Sequence, residues 1–284
     1  MPRNAGGGEP KTFRDRIEIF GLTDVGRVRE HNEDAIGSDP DHGFVVLADG
    51  MGGHRGGEVA SAITVSTVLE TLADRLKTIN SGDIDEESGY HLESIAVHEA
   101  VIEANEAVFA SSSENAQYQG MGTTVVVLLF HDQHMTVAHV GDSRLYRYRD
   151  GVLEQMTRDH SLMQELVDRG FYTDDQARNS TNKNLVTRAI GVDPSVEIDI
   201  LEDAVEADDI YLLCSDGLTD MLKDDVIRNT INDNSDDLEK IASELIRQSN
   251  ESGGNDNISA ILARPGKSMA TGNGLFSRFF GLSS

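Results

Sequence analysis

The chain has 284 residues, enough for one large domain or two small ones, and its 50 acidic against 24 basic side chains give a formal net charge of −26. That balance excludes a nucleic-acid or anionic-membrane binder working through a basic face. The single cysteine, Cys214, excludes an intramolecular disulfide and reads as a small buried hydrophobe.

In chain order, residues 1–16 are Gly-rich and charged and read as a flexible arm without an apolar signal core, so a cytoplasmic protein is expected. IEIFGLT (17–23) and FVVLAD (44–49) read as strands joined by a polar loop that holds RVREHNED (27–34). DPDHG (39–43) is a hairpin turn; it lacks the ligand pattern of a calcium-binding helix–loop–helix. Val59, Ala60, Ile63, Leu69, Leu72 and Leu76 repeat at helical spacing, and after an acidic loop at 80–91 so do Leu92, Ile95, Ala100, Val101, Ala104 and Val108. SSSENAQYQG (111–120) breaks that pattern.

TTVVVLLF (123–130), HMTVAHV (134–140) and LYRY (145–148) then predict an antiparallel meander. The apolar run at 125–130 is too short to span a bilayer. SLMQELVDRG (161–170) is a short helix closed by Gly170, followed by an irregular polar stretch to residue 195. VEIDI (196–200) and DIYLLCS (209–215) are strands, residues 237–250 form an amphipathic helix, and ISAILAR (258–264) is the last strand. Strands and helical pairs without regular alternation predict an α+β layered domain over 17–264 with mostly antiparallel sheets, leaving 265–284 as a tail.

Several strands end in an acid beside a glycine or small residue. Asp49 follows FVVLA, Asp142 follows TVAHVG, Asp216 follows YLLCS, and Asp256 precedes the last strand, while Glu33 and Asp34 close the first loop. Each alone reads as a turn residue. If the strand tips meet, two carboxylates 4 Å apart repel by roughly 4 kcal/mol at an effective dielectric of 20, so such a cluster takes up protons or cations. Hard oxygen donors, with no thiolate or histidine at ligand spacing, select Mg²⁺ or Mn²⁺. Gly50 leaves its carbonyl open to a metal, and Arg29 is placed to hold an anionic group by a bidentate contact. That combination suits a phosphate ester.

The stretches TDVGRVREHNED (23–34), LADGMGGHRGGEVA (47–60), GMGTTVV (120–126), VGDSRLYRYRDG (140–151), LVTRAIG (185–191), LLCSDGLTD (212–220) and GGNDNISAIL (253–262) resemble, in order, the metal-dependent serine/threonine protein phosphatases of type 2C in their bacterial branch. The resemblance covers about residues 17–264. It implies a four-layer αββα sandwich, with two central antiparallel sheets flanked by helix pairs and a metal cleft at one edge. It also implies hydrolysis of phosphoserine and phosphothreonine on proteins by a metal-bridged hydroxide attacking phosphorus in line, opposing a Ser/Thr protein kinase.

Carried onto this chain, Asp49 bridges two metals, the Gly50 carbonyl joins the second, and Asp216 and Asp256 hold the first. Asp142 with Asp216 holds a third, weaker ion. Glu33 and Asp34 act through metal-bound waters, and Arg29 binds phosphate. Met51 stands where animal members have a histidine; His54 is the candidate catalytic acid, against a metal-bound water in that role or a merely loop-bracing histidine. Thr187 and Arg188 fall in a flap where Thr187 would meet substrate, and Arg144 reads as bracing a carboxylate.

His131, His134 and His139 resemble a metal set on paper, but His134 and His139 are five apart on a strand and point to opposite faces. A silent phosphopeptide-binding module and a phosphatase dedicated to one stress-signalling regulator are the alternatives. The expected partners are phosphorylated proteins and a cognate kinase, with a monomeric chain. The tail GLFSRFFGL (274–282) reads as a disordered end, with partner or membrane docking as its rival.

Overall fold

In the computed structural model, which describes residues 13–52, 56–173, 176–177, 180, 185–266 and 269, the apolar runs of the sequence become the strands of two antiparallel sheets. The first sheet has the order β1 (Ile17–Asp24), β11 (Ile258–Pro265), β10 (Ile210–Cys214), β7 (Arg144–Arg149), β8 (Val152–Gln155). The second runs β2 (Asp34–Asp39), β3 (Phe44–Met51), β5 (Val125–His131), β6 (His134–Val140), β9 (Asp199–Ala204), with the short β4 (Gly122–Thr123) on β3.

Side chains alternate across each strand, so each central strand feeds two cores. Val45, Leu47, Val126, Leu128 and Phe130 face the first sheet and meet Leu145, Tyr211, Leu213 and Ile261. Their neighbours Phe44, Val46, Val125, Val127 and Leu129 face outward under α1 (Gly56–Leu76) and α2 (Leu92–Glu114). From the first sheet Leu212, Cys214, Ala260 and Leu262 point the other way, onto α5 (Asp224–Asp233) and α6 (Leu238–Glu251). The layers are therefore helix pair, sheet, sheet, helix pair, the expected α+β sandwich. Burial on both faces explains why these strands read as unbroken apolar runs. Phe13 and the fully buried Met269 also pack on the central core.

Local structure departs from expectation at several places. The predicted meander is broken: β6 gives its free edge to β9, and after Gly141–Ser143 the chain crosses to the first sheet, where β7 pairs with β10. The edge strands β2 and β8, α5, and a short α4 (Asp216–Thr219) were not expected. The second helix runs on through Ser111–Ser113, and β9 begins at Asp199 rather than 196. The turn at 39–43 does join paired strands, with Asp39 opposite Phe44. The short helix α3 (Leu162–Asp168) is capped by the Ser161 hydroxyl and closed by Gly170 at φ +74°. His54 and the tail segment 274–282 lie outside the described residues.

Candidate active site

The acids reach one edge of the sandwich from both sheets. Pairing of β2 with β3 sets Asp34 directly opposite Asp49. Asp142 stands in the crossing between β6 and β7, Asp216 opens α4 at the end of β10, and Asp256 precedes β11, which neighbours β10. Their charges act on one another. Burial raises the Asp49 carboxyl well above the ordinary range, and Asp34, Asp216, Asp142 and Asp256 add to it. Burial raises Asp216 likewise, reinforced by Asp142, Asp220, Asp256 and Asp34. Asp142 is pushed up to about 6 by burial and the Asp159 charge, against the pull of Arg144. Glu33 is raised by burial, against Arg29.

The glycines after Asp49 and Asp216 have a packing reason. A Cβ on Gly50 would lie 2.2 Å from the Gly57 carbonyl oxygen and 2.5 Å from that of Glu33; one on Gly217 would lie 2.0 Å from that of Asn257. At each aspartate a second stretch of backbone therefore crosses where only glycine lets it pass.

Asp34 is seated from behind. Its Oδ2 accepts the hydroxyls of Ser215 at 2.9 Å and Ser259 at 2.6 Å, while its Oδ1 is buried with no hydrogen-bond partner among the described residues. Burial pushes this carboxyl to about 6 despite the two hydroxyls and a hydrogen bond with the Asp49 carboxyl. Asp49 is fixed through its backbone: its N–H donates to Thr124 Oγ1 at 3.0 Å and its carbonyl accepts from Thr123 Oγ1 at 2.8 Å. Thr124 also meets Ser143 at 2.8 Å, tying β3 to the turn that carries Asp142.

Arg29 Nη2 donates to Asp256 Oδ2 at 2.6 Å, with half of the arginine side chain exposed. Burial opposes its charge, but Asp256, Glu33 and Asp216 hold the guanidinium protonated. The loop that presents it is clamped by Asn257. That amide donates to the carbonyls of Val25 and His31 at 3.0 and 2.9 Å and accepts from the Glu33 N–H at 2.8 Å. Asp142 and Asp216 line an open pocket of about 480 Å³ with Asp220, Asp159 and Lys223.

Arg144 braces a carboxylate, gripping Asp159 through Nε at 2.9 Å and Nη2 at 2.7 Å. Arg188 is likewise spoken for, donating to Asp199 at 2.8 Å. Thr187 is exposed, and its N–H donates to the His160 carbonyl at 2.8 Å, which joins this stretch to the Asp142 turn because the Gly141 N–H donates to His160 Nδ1 at 3.1 Å. His139, His160 and Asp199 bring ligand atoms within 4.8 Å of one another. With Nδ1 accepting, however, His160 carries its proton on Nε2, facing Asp199, so the group is a structural tie rather than a metal site.

The expected residues Arg29, Glu33, Asp34, Asp49, Gly50, Asp142, Asp216 and Asp256 thus share one edge. Asn257, Thr123, Thr124, Ser143, Ser215 and Ser259, which hold them in place, were not singled out from sequence, although Asn257, Ser143 and Ser215 adjoin one of the acids, Thr123 and Ser259 lie on strands β4 and β11, and Thr124 stands between β4 and β5.

A family profile described as protein phosphatase 2C matches residues 26–263, and the chain belongs to that family. It is 35% identical over 243 residues to the serine/threonine phosphatase stp of Listeria monocytogenes, covering 84% of this chain and 92% of that one. The solved serine/threonine phosphatase PstP/Ppp of Mycobacterium tuberculosis superposes with a TM-score of 0.78 at 33% identity, covering 88% of this chain and 99% of that one. A structure of the PstP catalytic domain in complex with two manganese ions gives 0.75 at 33% identity, with the same coverage.

Proposed function

We propose that this chain hydrolyses phosphoserine and phosphothreonine on proteins with the help of Mn²⁺ or Mg²⁺. The observation that carries the reading is the convergence of Asp34, Asp49, Asp142 and Asp216, whose carboxyls are all raised above the ordinary range, with Asp256 beside them, an arrangement that protons or divalent cations must relieve. The donor set fits hard cations: it is all oxygen, and Asp34 Oδ1 is a buried acceptor in want of a partner. Manganese in the related PstP domain supports the choice.

Asp49, the Gly50 carbonyl, Asp216 and Asp256 would hold two ions and Asp142 a third, with Glu33 and Asp34 supporting them through water. When bound, such ions neutralise the acids and acidify the attacking water. The remaining work falls to this chain's own groups. Arg29, half exposed and now paired with Asp256, would turn its guanidinium to the phosphoryl oxygens if Asp256 were engaged in holding an ion. Asn257 keeps the arginine loop in register, and Thr124 keeps Asp49 and the Asp142 turn at fixed spacing. Thr187, exposed beside the cleft, would meet the substrate protein. His54 or water would protonate the leaving hydroxyl. A cysteine phosphoenzyme has no candidate, because Cys214 is fully buried and its thiol is pushed up to about 12 by burial.

Among the described residues no helix is long and apolar enough to cross a membrane. A cytoplasmic monomer acting against a Ser/Thr kinase, with its catalytic domain at 17–264, completes the proposal. The test is phosphate release from a phosphothreonine peptide across a manganese titration, with and without EDTA. Full activity in chelator would refute the mechanism; manganese binding without turnover on a phosphopeptide panel would show a binding module instead.

A further inference from the structure

Three histidines remote in sequence meet at the end of the second sheet away from the acids. His131 ends β5 and His134 opens β6 as cross-strand neighbours. His91, just before α2, places its ring centre 5.0 Å from that of His131 and 4.9 Å from that of His134, which are 6.1 Å apart from each other. Six residues of β5 separate His131 from Thr124, about 20 Å at strand rise.

One carboxylate sets the proton positions. Glu202 on β9 accepts from the His91 N–H at 2.9 Å, from His91 Nδ1 at 3.1 Å, and from the Ser94 hydroxyl. Ser94 has spent its only proton there, so at 2.6 Å it accepts that of Thr136. Thr136, its proton spent in turn, accepts from His131 Nε2 at 2.8 Å. His131 therefore keeps its lone pair on Nδ1, and His91 keeps its own on Nε2. His131 is only 2% exposed, and both its Nδ1 and that of His134 are buried with no hydrogen-bond partner among the described residues.

We propose that His91, His131 and His134 bind one borderline divalent metal ion, Zn²⁺ or Ni²⁺, with Glu202 orienting the imidazoles and water as the fourth ligand. Neutral imidazoles whose outer N–H is tied to a carboxylate, directly or through hydroxyls, are the usual form of ligating histidine, and imidazole favours zinc and nickel where oxygen favours magnesium and manganese. Tetrahedral Zn–N bonds of about 2.0–2.1 Å put ring centres about 5 Å apart. Two of the three ring separations already have this value; the three ligand nitrogens do not yet all lie within 4.8 Å of one another, and His134 would have to turn inward on loading to close the third. Burial also lowers the His131 pKa to about 3, so a proton does not compete for its Nδ1 near neutral pH.

The test titrates Zn²⁺ into the full chain with the acid edge saturated by excess Mg²⁺. Long-range ¹H–¹⁵N spectra read each imidazole, and equilibrium dialysis counts bound zinc. Before zinc, His131 should show its proton on Nε2. Zinc should shift the lone-pair nitrogens of His91, His131 and His134 and leave His98 unmoved. The His134→Gln and His91→Gln chains should each bind one zinc fewer, or bind it at least tenfold more weakly, with phosphatase activity unchanged. Equal zinc stoichiometry and affinity in wild type and both variants, or His131 found with its proton on Nδ1, would overturn the site. His134 sits on the hairpin at the protein surface, so its variant keeps the test open even if His91→Gln fails to fold.

Discussion

Strands β5 and β6 carry opposite chemistry at their two ends. At one, Thr124 and Gly141 lead into carboxylates that burial and mutual repulsion hold above their ordinary pKa; at the other, His131 and His134 lead into an imidazole cluster in which burial holds His131 below its ordinary pKa. Both ends leave buried acceptors unpaired, Asp34 Oδ1 at the first and two histidine Nδ1 atoms at the second. They differ in what relieves them. Crowded carboxylates welcome protons or hard cations, whereas neutral imidazoles carrying lone pairs call for a borderline metal. One rigid pair of strands thus presents two coordination chemistries without either interfering with the other.

The largest effect separating the ends is on catalysis. Asp49→Asn and Asp216→Asn should each reduce phosphopeptide turnover by more than the ~10–100-fold typical of residues that merely support a metal ligand, while His134→Gln leaves it intact. Steady-state kinetics across a manganese titration would show this, and a comparable loss in the histidine variant would erase the distinction.

Stability should respond to pH with opposite sign at the two ends. Asp34 and Asp142 rise from 3.8 to about 6 on folding, so the folded chain binds the extra protons, and their contribution is lost as pH rises through 6. His131 falls from 6.5 to about 3, so its contribution is complete above 6.5 and is lost as pH falls toward 3. The windows overlap, so in chelator the two carboxyls and His131 largely offset one another up to about pH 6.5, and the fall in Tm above that comes from Asp49 and Asp216, which are raised well above the ordinary range; about 1 kcal/mol moves a domain of this size by roughly 2–4 °C. Manganese should raise Tm most at pH 8. Between about pH 4 and 6, Asp142→Asn should make Tm rise more with pH and His131→Gln should make it fall more, read by differential scanning calorimetry.

Smaller effects come from the groups around the acids. Arg29→Ala should raise KM roughly 10–100-fold with kcat less changed, matching the roughly 1.5–3 kcal/mol of a charge-assisted contact. Asn257→Ala should cost about 1–3 kcal/mol in urea unfolding, because the Glu33 N–H and two carbonyls lose their buried partner.

The layered fold and the acid edge were legible because each central strand is an apolar run and each acid stands at its tip beside glycine. The edge strands were not: DAIGSD and VLEQ are half exposed and carry no apolar periodicity. Nor was the jump of β7 to the other sheet, since Gly141–Ser143 looks locally like any hairpin turn and only the partner strands β10 and β9 decide the outcome. The residues that hold the acids were hidden for the same reason. Ser259 meets Asp34 across 225 positions and Thr124 meets Asp49 across 75, and nothing in a local window reveals such pairs. The histidines divided as strand parity required, His139 stacking on His160 and His134 joining His131, while His91 entered from a helix start that periodicity alone did not connect to them.

β11, the last strand among the described residues, is an interior strand, zipped between β1 and β10. Residues through 265 must therefore have left the ribosome before the first sheet can close. Until then Asp256 has no place beside Asp216, and Ile17–Asp24 waits as an unpaired ribbon for a partner some 240 positions downstream. The nascent enzyme is thus inert by topology, and newly made molecules become competent only in a late, all-at-once closing step of the kind expected for long-range strand pairing.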